Sequence, residues 1–426
     1  MTSVVGHIKN VKRALYFFVA AYFVFFAKIM LKRWHPTVVT ITGSSGKTTI
    51  LHLFEAALGD RAVYTHKANS AFGIPFHILG LRRTDFSLLE WPVLFILAPF
   101  RAFRAIPKQN IYITEADAER PGEGQFISRI LMPDITIWLS LGESHGAQFD
   151  RVNVNNEKIE KVIANEFGYF AGRTKSLLVI NGQNQYIVRE AGRSRAHIVS
   201  LDPMTVKTAR VGKQEIVFAT PRGEFSVPEL VPLDAGLSVL AVAEVLAYLN
   251  LNFDPQFAGF TLPAGRSSVF EGKKNTTIID STYNATIDGM KAMLDLFAVY
   301  PASGEKWLVL GDMIEQGKSE ATEHALLGKE ILACSPARVV LVGPRLRAHT
   351  LPVLQEAGYE HAVSVLMPDE AHAFLEANLK GGETILFKGV RYLEAVIERL
   401  LAHPADASKL CRREKIWLSR RKKFGV

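Results

Sequence analysis

Cysteine is almost absent: Cys334 and Cys411 are the only two in 426 residues. So few exclude a disulfide framework and a four-cysteine zinc ribbon, and they fit a reducing cytosol. Charge is also sparse. Charged residues make up 22% and hydrophobic residues 48%, which excludes a disordered or fibrous chain. The length allows two or three domains with cores of their own. There is no acidic excess, since the net charge is +8. Part of the surplus lies in Arg412, Arg413, Lys415, Arg420, Arg421, Lys422 and Lys423 near the C-terminus. Such a run reads as a solvated tail, or as a surface for anionic lipid; a nucleic-acid partner is not expected.

One further absence is local and informative. The stretch Thr40-Ile41-Thr42-Gly43-Ser44-Ser45-Gly46-Lys47-Thr48-Thr49 lacks the glycine that usually stands four residues before a Gly-Lys pair; Ile41 occupies that position. What remains is a shorter Gly-x-x-Gly-Lys-Thr-Thr loop. The β-branched run Val38, Val39, Ile41 before it predicts a strand, and Ile50, Leu51, Leu53, Phe54, Ala57 and Leu58 after it predict a helix. A strand, a glycine turn and a helix N-terminus make a phosphate cradle, because glycines let amides approach the oxygens and the helix end is electropositive. Gly43, Ser44, Ser45, Gly46, Lys47, Thr48 and Thr49 are therefore the candidate nucleotide-binding residues. Lys47 would neutralise the outer phosphates and the Thr48 hydroxyl would meet Mg²⁺.

The longest apolar run is N-terminal. Ala14 to Ala27 are all apolar or aromatic, and Ile29, Met30 and Leu31 continue beyond Lys28. As one helix, Ala14–Leu31 spans roughly 27 Å, about a bilayer core. Its aromatics point in every direction, and no cleavage site precedes Lys32-Arg33. The expectation is one membrane anchor, with the rest of the chain on the cytoplasmic face of the inner membrane. A second apolar stretch, Leu88 to Phe100, is short and broken by proline. It reads as an interfacial element or a buried hairpin. Asn69 to Pro75 reads as a loop.

Ile111–Glu115 alternates like a strand ending in an acid, and Asp134–Leu139 is a second strand leading to Gly142-Glu143-Ser144-His145. Acid and imidazole at successive strand ends are where α/β sheets place ligands. Glu115 and His145 are candidate Mg²⁺ ligands with Thr48. Leu177–Asn181 is another strand and Ala235–Leu251 a helix, followed by a hinge-like Pro263-Ala264-Gly265-Arg266. Beyond it, strands at Thr277–Ile279, Lys306–Leu310, Arg338–Val342 and Thr384–Phe387 alternate with helices at Gly289–Val299, Ala321–Cys334 and Leu393–Leu401, a parallel-sheet pattern. Asp280, Asp312 and Lys388 stand at strand ends.

Taken in order, TGSSGKTT, NSAFGIP, ITEADAERPGE, MPDITIWLSLGESH, VINGQN, AGRSSVFEG, IIDSTYNATIDGM, LVLGDMIEQG with a following His324, and LFKGVR give a chain that resembles the Mur ligases from Val38 onward. The resemblance is greatest to the branch that adds D-alanyl-D-alanine. It implies an α/β fold with a central P-loop ATPase domain at 36–262, carrying a hydrophobic insertion at about 84–110. A Rossmann-like C-terminal α/β domain with a basic tail would follow at 263–426, and the N-terminal helix at 1–35 would precede both. It implies an ADP-forming amide ligase that uses ATP and Mg²⁺ on a peptidoglycan precursor and an amino acid or dipeptide. Lys47, Glu115, His145 and Lys388 would be catalytic. Arg266, Asp280 and Asn284 would close over the nucleotide, with Lys388 near the acyl phosphate.

The chain also departs from that family. About thirty-five residues precede the P-loop, in place of the domain that grips a UDP-linked sugar. The family's carbamylated lysine corresponds to Ala164, with Lys158 and Lys161 nearby. Asp234-Ala235 replaces a His-Asn pair, and Thr286-Ile287 replaces Asn-Pro. Three readings therefore stay open: a ligase of the D-alanyl-D-alanine-adding branch on a UDP-linked acceptor, a ligase or amidating enzyme on a lipid-linked acceptor, and a membrane-bound ATP-binding protein without ligase activity.

Overall fold

A computed structural model describes residues 2–66, 68–83, 89–118, 120–142, 149, 158–314 and 316–422, with the backbone alone for 2–14. Two compact units emerge. One is built from residues before 204 together with 237–253; the other comprises 204–236 and the chain from 254 onward.

The first unit is a six-stranded sheet with the order β2-β3-β1-β4-β5-β6. Its strands are β1 (Thr37–Thr42), β2 (Val63–Thr65), β3 (Ile111–Glu115), β4 (Ile135–Trp138), β5 (Leu177–Asn181) and β6 (His197–Leu201). All neighbours run parallel. A parallel sheet is covered on both faces, which is why β1, β3, β4 and β5 are nearly continuous apolar runs. The order sets β1 between β3 and β4, with Ile41 opposite both Glu115 and Ile137. The C-terminal ends of three strands therefore share one edge of the sheet.

A helical layer lies within the same unit. It contains α1 (Thr2–Trp34), α2 (Lys47–Leu58), α3 (Gly73–Leu79), α4 (Glu90–Ala102) and α5 (Glu123–Leu131). The α1 helix corrects two expectations. Its composition is apolar all round, but its burial is not: Ala20, Phe23, Ala27, Met30 and Trp34 form a fully or almost fully buried stripe at three- and four-residue spacing. Phe23 packs against Phe76 at 4.8 Å and Phe95 at 5.1 Å between ring centroids. Tyr22 Oη donates to the Phe95 carbonyl at 2.8 Å, Arg33 to the Ala102 carbonyl at 2.8 Å, and the Trp34 indole to the Gln109 carbonyl at 2.6 Å. The helix is thus a layer of the first unit. By length and composition it could cross a membrane, but a helix packed into a protein core passes the same test. The expected membrane anchor, and with it the placement at the inner membrane face, is withdrawn.

The second apolar stretch becomes α4 from Glu90 onward, one helix rather than a hairpin. It buries Leu94, Ala98 and Ala102 and leaves Val93, Ile96 and Phe100 exposed. The loop expected over Asn69–Pro75 ends early, because α3 begins at Gly73. Pro75 fits its first turn, where a missing N–H is tolerated, and the Ser70 hydroxyl accepts from Gly73 N at 3.1 Å.

The second unit holds another six-stranded sheet, β10-β11-β15-β12-β13-β14. These strands are β10 (Ser268–Gly272), β11 (Thr276–Ser281), β12 (Lys306–Gly311), β13 (Arg338–Val342), β14 (Ala362–Val365) and β15 (Thr384–Lys388). Only β10 pairs antiparallel. The antiparallel β7-β8-β9 sheet (Lys207–Val211, Ile216–Thr220, Gly223–Val227) belongs to the same unit and was not anticipated.

Much of the basic C-terminal run is folded rather than solvated. A helix spans Lys415–Arg421. Arg413 grips Glu398 through two bonds of 2.8 and 3.0 Å, and Arg421 reaches the same carboxylate at 2.7 Å. The two guanidiniums outweigh partial burial and hold the Glu398 carboxyl down at about 2. The unfolded value is about 4.3. A depressed carboxyl stabilises the fold above the unfolded value and stops doing so as pH falls through the folded one. Glu398→Gln is therefore expected to lower Tm near neutrality, with the gap to the parent shrinking below about pH 4.3. A gap independent of pH in Tm scans would rule this out. In α1, Phe23→Ala is expected to cost ~3–5 kcal/mol in urea unfolding. An unchanged midpoint would show that α1 lies outside the cooperative core.

Candidate functional site

The phosphate cradle begins where β1 ends. Gly43 and Gly46 take φ of 123° and 79°, which a side chain resists. A Cβ on Gly43 would also lie 2.8 Å from the Ser140 carbonyl. Gly46 is the N-cap of α2, and no side chain caps that end, so its first amides are open to an anion.

The loop after β4 braces this conformation. The Ser140 hydroxyl accepts from Ser45 N at 2.9 Å and donates to Ser45 O at 2.7 Å. The Ser44 hydroxyl accepts from Gly142 N at 2.9 Å and donates to Gly142 O at 3.1 Å. Preorganised amides of this kind cost little reorganisation when they meet charge.

Lys47 points back over the loop. Its Nζ donates to the Gly43 carbonyl and lies 2.7 Å from Asp117 Oδ1. Asp117 is itself buried and held by Asn69, whose carbonyl accepts from Asp117 N at 2.9 Å and whose side-chain amide donates to the carboxylate. Sequence reasoning missed this partner. The signal was the second acid of ITEAD, two residues past the strand-end Glu115. Glu115 is almost fully buried at the end of β3, and its amide donates to the Thr65 hydroxyl at 3.2 Å. Thr48 lies in the first turn of α2. The sheet thus brings the Thr48 turn and Glu115 to neighbouring strand ends. His145, expected beside them, lies outside the described residues, as do Glu143 and Ser144.

The lysine question has a plain answer at one position. Ala164 is fully buried on the helix Ile159–Ala171. Lys158 is the exposed N-cap of that helix, and Lys161 lies in its first turn.

The second unit gathers its own polar group at the ends of β11 and β15, which pair with Ser281 opposite Lys388. Lys388 is buried, and its Nζ donates to the Ser281 hydroxyl and the Asn284 carbonyl, each at 3.3 Å. Burial first, then the Arg266 charge, lowers its ammonium from 10.5 to about 8; Asp280 opposes the shift. Asp280 is fully buried. One of its oxygens accepts from Thr282 N at 3.0 Å and the Thr282 hydroxyl at 2.7 Å, while the other has no hydrogen-bond partner. Burial raises its carboxyl. The Arg266 guanidinium stacks 4.7 Å from the Tyr283 ring, with its Nε also lacking a partner. Asn284 is exposed, and its side-chain oxygen accepts from Ala285 N at 2.8 Å.

Asp312 anchors a second cluster that the sequence marked only as a strand end. Arg391 forks onto it at 3.0 and 2.7 Å, and the amides of Arg345 and Leu346 donate to it at 3.2 and 3.1 Å. Nearby, His324 Nε2 accepts from Met313 N at 3.2 Å while Nδ1 faces the Glu320 carbonyl at 2.7 Å, an arrangement suited to one neutral tautomer.

A sheet with a P-loop at its central strand, and a second α/β unit, is the fold of the Mur ligases. Residues 265–391 match the family described as Mur ligase, glutamate ligase domain. Over most of its length the chain is similar to the UDP-N-acetylmuramoyl-tripeptide–D-alanyl-D-alanine ligase, MurF. It is 25% identical to that of Bacillus subtilis, over 89% of this chain and 79% of the relative. Among solved structures, MurF of Acinetobacter baumannii aligns with a TM-score of 0.70 at 20% identity, covering 88% of this chain and 78% of that one. MurF of Thermotoga maritima in complex with ADP aligns at 0.68 and 20% identity, covering 94% and 84%.

The environment of Lys388 can be read directly. A pH titration by NMR of the methylated or isotope-labelled lysine is expected to give a midpoint near 8. Asp280→Asn should lower it further by removing a stabilising anion, and Arg266→Ala should raise it. A midpoint near 10.5 in the parent would show that the ammonium is hydrated.

Proposed function

We propose that this protein is an ATP-dependent, ADP-forming ligase of the MurF type. It would join D-alanyl-D-alanine, or a related amine, to the carboxylate of a UDP-muramoyl tripeptide. The observation that carries the reading is the phosphate cradle: a braced Gly43–Thr49 loop with Lys47 held by Asp117. The ligase-domain match at 265–391 and the named relatives supply the reaction class.

The chemistry asks for cations wherever oxygen gains charge. The substrate carboxylate attacks the γ-phosphorus, giving an acyl phosphate and ADP. The amine then attacks the acyl carbon, and phosphate departs. In the first step the amides of Ser44 to Thr49 hold the phosphate chain, and Lys47 exchanges Asp117 for phosphate oxygens. Thr48 and Glu115 offer a hydroxyl and a carboxylate, an all-oxygen donor set that fits Mg²⁺. Bound there, Mg²⁺ would supply charge neutralisation at the phosphates, and His145 is the further ligand carried over from the family pattern. By the family pattern, Arg266, Asp280 and Asn284 would serve the nucleotide and Lys388 the acyl phosphate, where cations offset oxygen charge.

A lipid-linked muropeptide is tested beside the UDP-linked one as acceptor.

The test is ADP release from purified full-length protein. ADP is expected only when a muropeptide acceptor and D-alanyl-D-alanine are both present. Lys47→Ala should reduce turnover by at least about 100-fold. Protein that binds ATP but releases no ADP with either acceptor would favour binding without ligation.

A further inference from the structure

A second cluster of ligating side chains lies along α2, away from the phosphates. His52 and Glu55 stand one turn apart on that helix, and His66 directly follows the edge strand β2. His52 Nδ1 lies 3.1 Å from Glu55 Oε2, and His66 Nε2 lies 3.3 Å from Glu55 Oε1. The two imidazole rings are 5.2 Å apart, and one ligand atom from each residue falls within 4.8 Å of the others.

We propose that His52, Glu55 and His66 form a binding site for a divalent transition-metal ion of the Zn²⁺ class. Zinc bonds of about 2.0–2.2 Å to nitrogen and oxygen put neighbouring ligands of a tetrahedron roughly 3.3 Å apart. Each imidazole nitrogen already stands at that spacing from one oxygen of the shared carboxylate, and the ligand atoms, within 4.8 Å of one another, need side-chain rotation to close on one ion. Two imidazoles and a carboxylate suit Zn²⁺, Co²⁺ or Ni²⁺. Mg²⁺ prefers an all-oxygen shell and keeps its waters. Side-chain exposures of 12%, 40% and 44% for His52, Glu55 and His66 leave an approach for the ion and a fourth position for water.

Placement gives the site a consequence. His52 is five residues beyond Lys47 on the same helix, about 7.5 Å along its axis. The ligand set shares no residue with Thr48 and Glu115. An ion there would tie the helix that carries the phosphate cradle to β2, which is hydrogen-bonded on one side only, to β3. Binding to the folded state alone raises its stability by mass action.

The experiment uses chelator-treated full-length protein in excess Mg²⁺, which keeps the phosphate site filled, and titrates it with Co²⁺ and Zn²⁺. One equivalent of Co²⁺ is expected to give the intense visible bands of four-coordinate cobalt. Saturating Zn²⁺ should raise Tm. His66→Ala and Glu55→Gln are each expected to weaken Zn²⁺ binding at least tenfold and to abolish the Tm shift, whereas Glu115→Gln leaves both unchanged. Both substituted side chains are well exposed, so the folds should persist; if one variant fails to fold, the other decides. Absence of saturable binding in excess Mg²⁺ would overturn the site. So would an affinity unchanged in the folded variant, or one lost in Glu115→Gln alone.

Discussion

The first unit depends on a requirement of parallel sheets: neighbouring strands must end on the same side. With β1 seated between β3 and β4, the turn after β1 has an acid-bearing loop on one flank and a serine-bearing loop on the other. The backbone at Gly43 and Gly46 then takes conformations that only glycine holds cheaply, and the two flanking loops supply what keeps it there. Ser140 and Gly142 hold the loop through five hydrogen bonds. Asp117 keeps Lys47 folded over the amides. An uncapped helix end and a lysine folded over it are a combination suited to anionic oxygens.

The strand–turn–helix form of the Gly43–Thr49 loop was legible because its determinants are local. Glycine position, a Lys-Thr pair and the change from strand to helix periodicity all fall within a dozen residues. Four strands of the second sheet, β11, β12, β13 and β15, were legible for a similar reason, since buried parallel strands are continuous apolar runs; β10 and β14, which are only partly buried, were not. What escaped depends on contacts between distant segments. Lys47 and Asp117 are seventy residues apart, and nothing in composition pairs them. The Asp312 cluster draws on Arg345 and Arg391. The β7-β8-β9 sheet has strands with exposed, mixed faces, so its periodicity is faint.

The α1 helix shows how an apolar run can mislead. When every face is apolar, the sequence contains no direction, and thickness becomes the only measurable property. A bilayer and a protein core then score alike. Burial restored the direction: small residues and Phe23 turn inward in one stripe, while Phe18 and Phe25 remain outside. The basic tail is the mirror case. Its charges suggested solvation, but Glu394 and Glu398 on the preceding helix neutralise Arg412, Arg413 and Arg421. A run of like charge folds when its counter-charges lie elsewhere in the chain.

The order of α1 and its cover along the chain also matters during synthesis. The aromatic side chains that cover α1, Phe72, Phe76, Trp91 and Phe95, leave the ribosome some forty to eighty residues after it. At translation speeds of about 5–20 residues per second that is an interval of seconds in which a long apolar helix has no cover. The nascent chain is therefore exposed to misassociation before the helix has its cover. The yield of active protein would then be set by chaperone supply at that stage rather than by the stability of the finished fold.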